Sequence, residues 1–388
     1  MRNRLLLWSG LAAVVLCLAA GAGWLLSLPP AAAAVATRPI AQSETDAAIA
    51  ALAPPERGSG WRRRPLIAIV GINDATETTD YLMPYGILRR ADVADVVALA
   101  TKPGPVTLYP ALEVEPQATI AEFDLRHPDG ADFVIVPAMS RDDDPAALAW
   151  IRSQADKGAI VIGVCAGAKI VGNAGLLEGR RATTHWYYLD ELREEHPTIR
   201  YVADRRFVVD RGVATTTGIS ASMPMALTLI AAIAGRERAE DTARNLGLEQ
   251  WDARHDSDAF RFTRPFALAV IRNTLTFWNH EQLGLELEPG VDEVSLALAA
   301  DAWSRTYRSR AVTFAGSADP RRSRNGLRIR PDRVAADWPA AQRVPAFLDR
   351  PPAHALDQTL DAIGRRYGRS TADLVATQLE YRTKDRER

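Results

Sequence analysis

Cysteine is the residue this chain most conspicuously lacks: two in 388 residues, Cys17 and Cys165. Cys17 lies in an apolar N-terminal stretch, so the rest of the chain holds one thiol and cannot form an internal disulfide. A zinc site built on two or more cysteine ligands is excluded with it. An excess of one charge sign is also missing, with 47 Lys and Arg against 48 Asp and Glu, so the totals show no basic surface for nucleic acid. His127, His196, His255, His280 and His354 have no ligand-like spacing. Nothing calls for a metal or an organic cofactor.

A basic start, Met1-Arg2-Asn3-Arg4, leads into an uncharged apolar run from Leu5 to Leu28, with Trp8 and Trp24 near its ends. At about 1.5 Å per helical residue the run reaches across a hydrocarbon core of about 30 Å. This predicts a transmembrane anchor over residues 1–28. A cleaved signal peptide is the alternative, since Ala31 to Ala36 offers small residues. The positive-inside rule then places the remainder outside the cytoplasm. The expectation is a single-pass inner-membrane protein with a periplasmic body, secreted if the segment is cleaved. Residues 29–64 read as a linker, with a short helix near Asp46–Leu52.

From Pro65 apolar strand-like runs alternate with amphipathic stretches, which predicts an α/β fold with a doubly wound, mostly parallel sheet. In Ala159-Ile-Val-Ile-Gly163-Val-Cys165-Ala166-Gly167-Ala-Lys-Ile170 a β-rich run ends at Gly-x-Cys-x-Gly and helix formers follow. That is the layout of a nucleophile elbow. It puts the thiol at a helix N-terminus, where its pKa is expected to fall toward thiolate. A buried structural cysteine is the alternative. Asp80 follows the first strand, either as an N-cap or as an acid beside the sulfur. His185, twenty residues after Cys165, is either a loop histidine or a base near the thiol.

The run Gly163-Val-Cys165-Ala-Gly167 … Gly175-Leu-Leu-Glu-Gly179-Arg-Arg-Ala-Thr183-Thr184-His185-Trp186 resembles the core signature of the ThiJ/PfpI (DJ-one) superfamily, within the class I glutamine amidotransferase-like, flavodoxin-like folds. Asp80-Tyr-Leu-Met-Pro84 and Thr217-Gly218-Ile219-Ser220-Ala221 extend the resemblance over about residues 65–235. Asp80 with Thr-Thr-His-Trp is similar to the isocyanide hydratase branch and to the amidase-like domain of GlxA-type regulators. The resemblance implies Cys165 as nucleophile, Asp80 as its acid, His185 nearby, the Ala166 amide as oxyanion donor, Glu77 as a less favoured acid, and a homodimer. Val136-Pro137-Ala138-Met139-Ser140 stands where the family carries Gly-Gly, and a left-handed turn there would cost Ala or Met energy. No His-x-Glu follows His185, which argues against ammonia transfer from glutamine.

Residues 236–388 carry no second elbow but hold a faint copy of the first half. A displacement of 215 residues aligns Val97 with Val312, Leu112 with Leu327 and Val114 with Ile329, and sets Asp80 opposite Ser295. A displacement of 133 aligns Leu227 with Leu360, Ile230 with Ile363 and Leu246 with Leu379. The reading is a truncated, catalytically empty second lobe over 236–388. A helix-turn-helix pair over Ala355–Tyr381, as in GlxA-type regulators, is the alternative. The Arg321-Arg322-Ser-Arg324 cluster reads as a solvated loop.

Two classes of function follow. One is a cysteine-dependent hydratase or hydrolase acting on a small electrophilic carbon. The other is a non-catalytic sensing or binding protein with an oxidisable thiol.

Overall fold

The computed structural model describes residues 16–17, 19–31, 37, 39–54, 64–347 and 350–382. Helix α1 (Gln42–Ala51) precedes the first strand. The first half then runs β1 (Leu66–Gly71), β2 (Thr76–Glu77), α2 (Thr78–Ala91), β3 (Asp95–Ala100), β4 (Val106–Tyr109), β5 (Glu113–Glu115), β6 (Ala118–Thr119) and α3 (Ile120–Arg126). Next come β7 (Phe133–Val136), α4 (Pro145–Asp156), β8 (Ile160–Gly163), α5 (Gly167–Asn173), β9 (Arg181–Ala182), α6 (Leu189–Glu195) and β10 (Arg200–Tyr201). The hairpin β11 (Phe207–Asp210) and β12 (Val213–Thr216) leads to α7 (Ser222–Ala234) and α8 (Arg236–Leu246).

Local chemistry sets these boundaries. The Asp144 carboxylate accepts the amides of Ala146 and Ala147, with Pro145 pre-set for the first turn of α4. Thr119 and Glu122 close a capping box on α3.

Seven strands form the central sheet in the order β11-β12-β8-β7-β1-β3-β6. All neighbours run parallel except the β11–β12 hairpin. Every residue of β1, β7 and β8 is buried, as strands covered by helices on both faces must be. Val136 and Thr215 both pair with Gly163, so the carboxyl ends of β7, β8 and β12 finish level with the elbow. In an open α/β sheet that edge is where ligands bind.

The chain continues through α9 (Arg264–Leu275), β13 (Glu281–Glu286), α10 (Glu293–Ser304), β14 (Ser309–Ala315), β15 (Arg321–Arg322), β16 (Arg328–Arg330), β17 (Arg333–Val334), α11 (Pro352–Tyr367) and α12 (Arg369–Gln378). Strands β13-β14-β17 form a second parallel sheet, and β15-β16 extend β5-β4-β2 into a five-stranded one.

The membrane anchor expected over residues 1–28 does not hold. Residues 1–15 and 18 lie outside the described residues, and among the described residues no helix is long and apolar enough to cross a membrane. Residues 19–27 are helical, and the protein body holds their end. Arg264 donates to the carbonyls of Leu25, Leu26 and Leu28 at 3.1, 2.9 and 3.2 Å, and the Trp24 ring lies 6.1 Å from that of Phe262. The single-pass assignment, the membrane contact and the periplasmic placement that rested on them are withdrawn.

Candidate active site

The elbow is strained and firmly held. Cys165 takes φ +58°, a left-handed conformation uncommon outside glycine. Its N–H donates to Thr216 Oγ1 at 3.0 Å, and its carbonyl accepts the Thr184 hydroxyl at 3.0 Å. Gly167 is a steric requirement: a Cβ there would stand 2.0 Å from the Val136 carbonyl oxygen. The Ala166 amide donates toward the sulfur, whereas the Gly167 amide is taken by the Val164 carbonyl at 2.8 Å.

Glu77, rather than Asp80, caps α2. Its Oε2 accepts the Asp80 amide at 2.7 Å and the Thr79 hydroxyl at 2.8 Å, and its Oε1 accepts the Arg305 guanidinium at 2.8 Å. Freed of capping, Asp80 is wholly buried. Its Oδ2 accepts the Ala138 amide at 3.1 Å, and its Oδ1 has no hydrogen-bond partner among the described residues. Burial first, and the Glu77 charge second, push the Asp80 carboxyl well above the usual range. Arg305 also binds Asp301 at 2.6 Å, whose buried carboxyl is likewise raised, by desolvation first.

The thiol departs from expectation. Burial pushes Cys165 well up, and the carboxylates of Asp80, Glu77 and Glu380 add to the shift; the Ala166 amide opposes them. The helix-terminus effect loses because α5 has only seven residues and the sulfur is desolvated.

His185 borders the same cavity, but both ring nitrogens are engaged. Nδ1 accepts the Tyr187 amide at 3.2 Å, so Nε2 is the donor to the Gln378 carbonyl at 2.8 Å. Burial lowers its pKa, which keeps the ring neutral. This geometry leaves no free nitrogen for the thiol.

Cys165, Ala166, Glu77 and His185 line one cavity of about 530 Å³, and Asp80 acts on the sulfur from the buried first turn of α2. The left-handed turn feared at Ala138 and Met139 does not occur, since neither has positive φ. Sequence reading missed Lys169 and Tyr188 on the wall from the first half, and from the second half Arg305 and Gln378 on the wall and Glu380, which accepts the amides of Trp186 and Gly218 at 2.5 and 2.9 Å. The 215-residue displacement carried the signal for Arg305, which stands in the copy where Arg90 stands in the original. The carboxylates of Asp142, Glu191 and Glu195 come close enough to hold a cation, but the Lys169 ammonium already pairs with all three.

The DJ-1/PfpI family model matches residues 67–232. Isonitrile hydratase of Pseudomonas putida is 34% identical over 166 residues, which covers 42% of this chain and 69% of that protein. The HTH-type transcriptional regulator CdhR of Pseudomonas aeruginosa is 33% identical over 112 residues, or 29% of this chain and 33% of the regulator. Among solved structures, a ThiJ/PfpI family protein from Pseudomonas syringae aligns with a TM-score of 0.44 at 23% identity, over 50% of this chain and 82% of that one. A DJ-1 superfamily protein from Salmonella typhimurium aligns at 0.43 and 23% identity, over 48% and 100%.

Proposed function

Because this chain belongs to the DJ-1/PfpI family, we propose that its elbow performs cysteine-dependent hydration or hydrolysis of a small electrophilic carbon, with an isonitrile as the first substrate to test. The observation that carries the reading is the pairing of a strained elbow cysteine, on the wall of a cavity of about 530 Å³, with a buried carboxyl, one of whose oxygens has no hydrogen-bond partner among the described residues.

In the working state the Cys165–Asp80 pair carries one negative charge, and the proton sits on Asp80. The sulfur attacks the isonitrile carbon, and Asp80 delivers its proton to that carbon, giving a thioimidate. The Asp80 carboxylate then takes a proton from water, whose oxygen adds to the same carbon. As the C–S bond breaks, the product leaves as a formamide, with the second proton on nitrogen, and the pair returns to its singly charged form. Water's two hydrogens and its oxygen are thereby added to the isonitrile, with no oxidant needed. The Ala166 amide holds developing charge. An amide would instead give a thioester, the Asp80 proton leaving with the amine; the Asp80 carboxylate then takes a proton from water, whose hydroxide releases the carboxylic acid as the C–S bond breaks.

Trapping tests the covalent step. Intact-mass spectrometry after brief mixing with a small isonitrile is expected to show a single adduct of substrate mass, absent from Cys165→Ala. Turnover in Cys165→Ala would end the reading.

The regulator relatives support a second reading, ligand binding without turnover. A DNA-contacting role for the last helix pair fits poorly, since six of the ten residues of α12 are buried and a recognition helix must expose a face to the groove.

A further inference from the structure

We propose that the second half of the chain is a built-in second subunit, which lends Arg305 to the Cys165 site as a positioning residue. The copy is structural as well as sequential. Displaced by 215 residues, β1, β5 and β6 become β13, β16 and β17 with identical limits, and α2 and α10 start at equivalent positions. Strand pairing carries over: Val106 opposite Val114 becomes Arg321 opposite Ile329, and Leu99 opposite Ala118 becomes Phe314 opposite Arg333. Only β13 on β14 slips by one residue relative to β1 on β3. Gly235 and Gly368, displaced by 133, break their helix pairs with nearly the same dihedrals, φ 88° and ψ 161° against φ 90° and ψ 154°. The section between, elbow included, has no counterpart.

The halves meet as the two copies of a dimer do, with residue i on j and j on i. Val114 of β5 lies directly opposite Ile329 of β16, its own equivalent. Glu77 at the start of α2 binds Arg305 at the end of α10, and Asp292 at the start of α10 binds Arg90 near the end of α2. Each of the four residues is the 215-residue equivalent of its opposite number. The two ends differ in one respect. The Glu77–Arg305 end faces Asp80 and the elbow, while at the Asp292–Arg90 end Ser295 replaces Asp80 and no cysteine follows.

That asymmetry gives Arg305 work that Arg90 does not have. Around the sulfur stand the acids Asp80, Glu77 and Glu380, with neutral His185 and the phenol of Tyr188. Among cationic side chains, Lys169 is spent on its own three carboxylates. Arg305, which also holds Asp301, offsets the acids that keep the thiol protonated and lowers the Asp80 carboxyl. The claim rests on Cys165 being the reacting group, but its test reads the thiol directly and needs no turnover.

The test is the rate of Cys165 alkylation by iodoacetamide against pH, in the full chain with Cys17→Ser, beside a melting curve. Arg305→Gln is expected to move the midpoint up by about one unit and slow alkylation at neutral pH about tenfold. Arg305→Lys keeps the charge but grips one carboxylate at a time, so it falls between. Arg90→Gln breaks the twin ion pair and lowers the melting temperature comparably, yet keeps the wild-type alkylation profile. The proposal is overturned if Arg305→Gln, or Arg305→Lys should the former not fold, follows the wild-type profile. An equal shift in Arg90→Gln overturns it too.

Discussion

Asp80 and Cys165 are both held above their ordinary pKa by the same burial, so they titrate as a pair. The proposed chemistry needs one proton removed from that pair. Activity is therefore lost as pH falls through the first ionisation, which lies above the ordinary aspartate value of about 4. It falls again at high pH as the second proton leaves. A pH–rate profile checks this, and an acid limb at or below about 4 contradicts it. Asp80→Asn removes the proton carrier and is expected to lower kcat/KM by about 10²-fold or more. His185→Gln, by contrast, keeps the midpoint of the acid limb, because that ring's nitrogens serve Tyr187 and Gln378. A midpoint displaced by that substitution would return His185 to the proton path. Gly167→Ala forces a Cβ onto the Val136 carbonyl and should cost about 3 kcal/mol or more, read from the urea midpoint. A change under about 0.5 kcal/mol would refute the steric account.

At the scale of elements, the sequence made the elbow and its acid legible because strand, turn and helix are consecutive there. The apolar runs Phe133–Val136 and Val213–Thr216 fold as strands and Ser222–Ala234 as a helix, in keeping with the alternation read from Pro65 onward. Burial was illegible, since spacing says nothing of which atoms shield Cys165 from water. A helix-terminus argument alone therefore gave the wrong direction for the thiol. The capping role also changed hands, because Glu77 reaches both the Asp80 amide and a distant Arg305. Just past the end of α12, Glu380 clamps the two loops that follow Thr184 and Thr216, through the backbone amides of Trp186 and Gly218. Glu380→Gln leaves one amide facing an NH₂ group and is expected to cost about 1–3 kcal/mol by denaturant titration. No loss would mean that the last helix does not secure the site.

At the scale of the whole molecule, the copy's charges say which partner the first half is built for. Glu113 and Glu115 of β5 meet Arg330 and Arg328 of β16 at 3.0 and 2.6 Å. Two copies of β5 across the same axis would oppose glutamates, which is unfavourable. Light scattering should therefore give the mass of one chain; a two-chain mass held together through β5 and α2 would contradict this.

The most direct measurement is steady-state hydration of a small isonitrile by wild type, Cys165→Ala and Asp80→Asn. The account predicts formamide release by the wild type, none from Cys165→Ala and a rate about 10²-fold lower or less from Asp80→Asn. Formamide release that survives the loss of the Cys165 sulfur would contradict it.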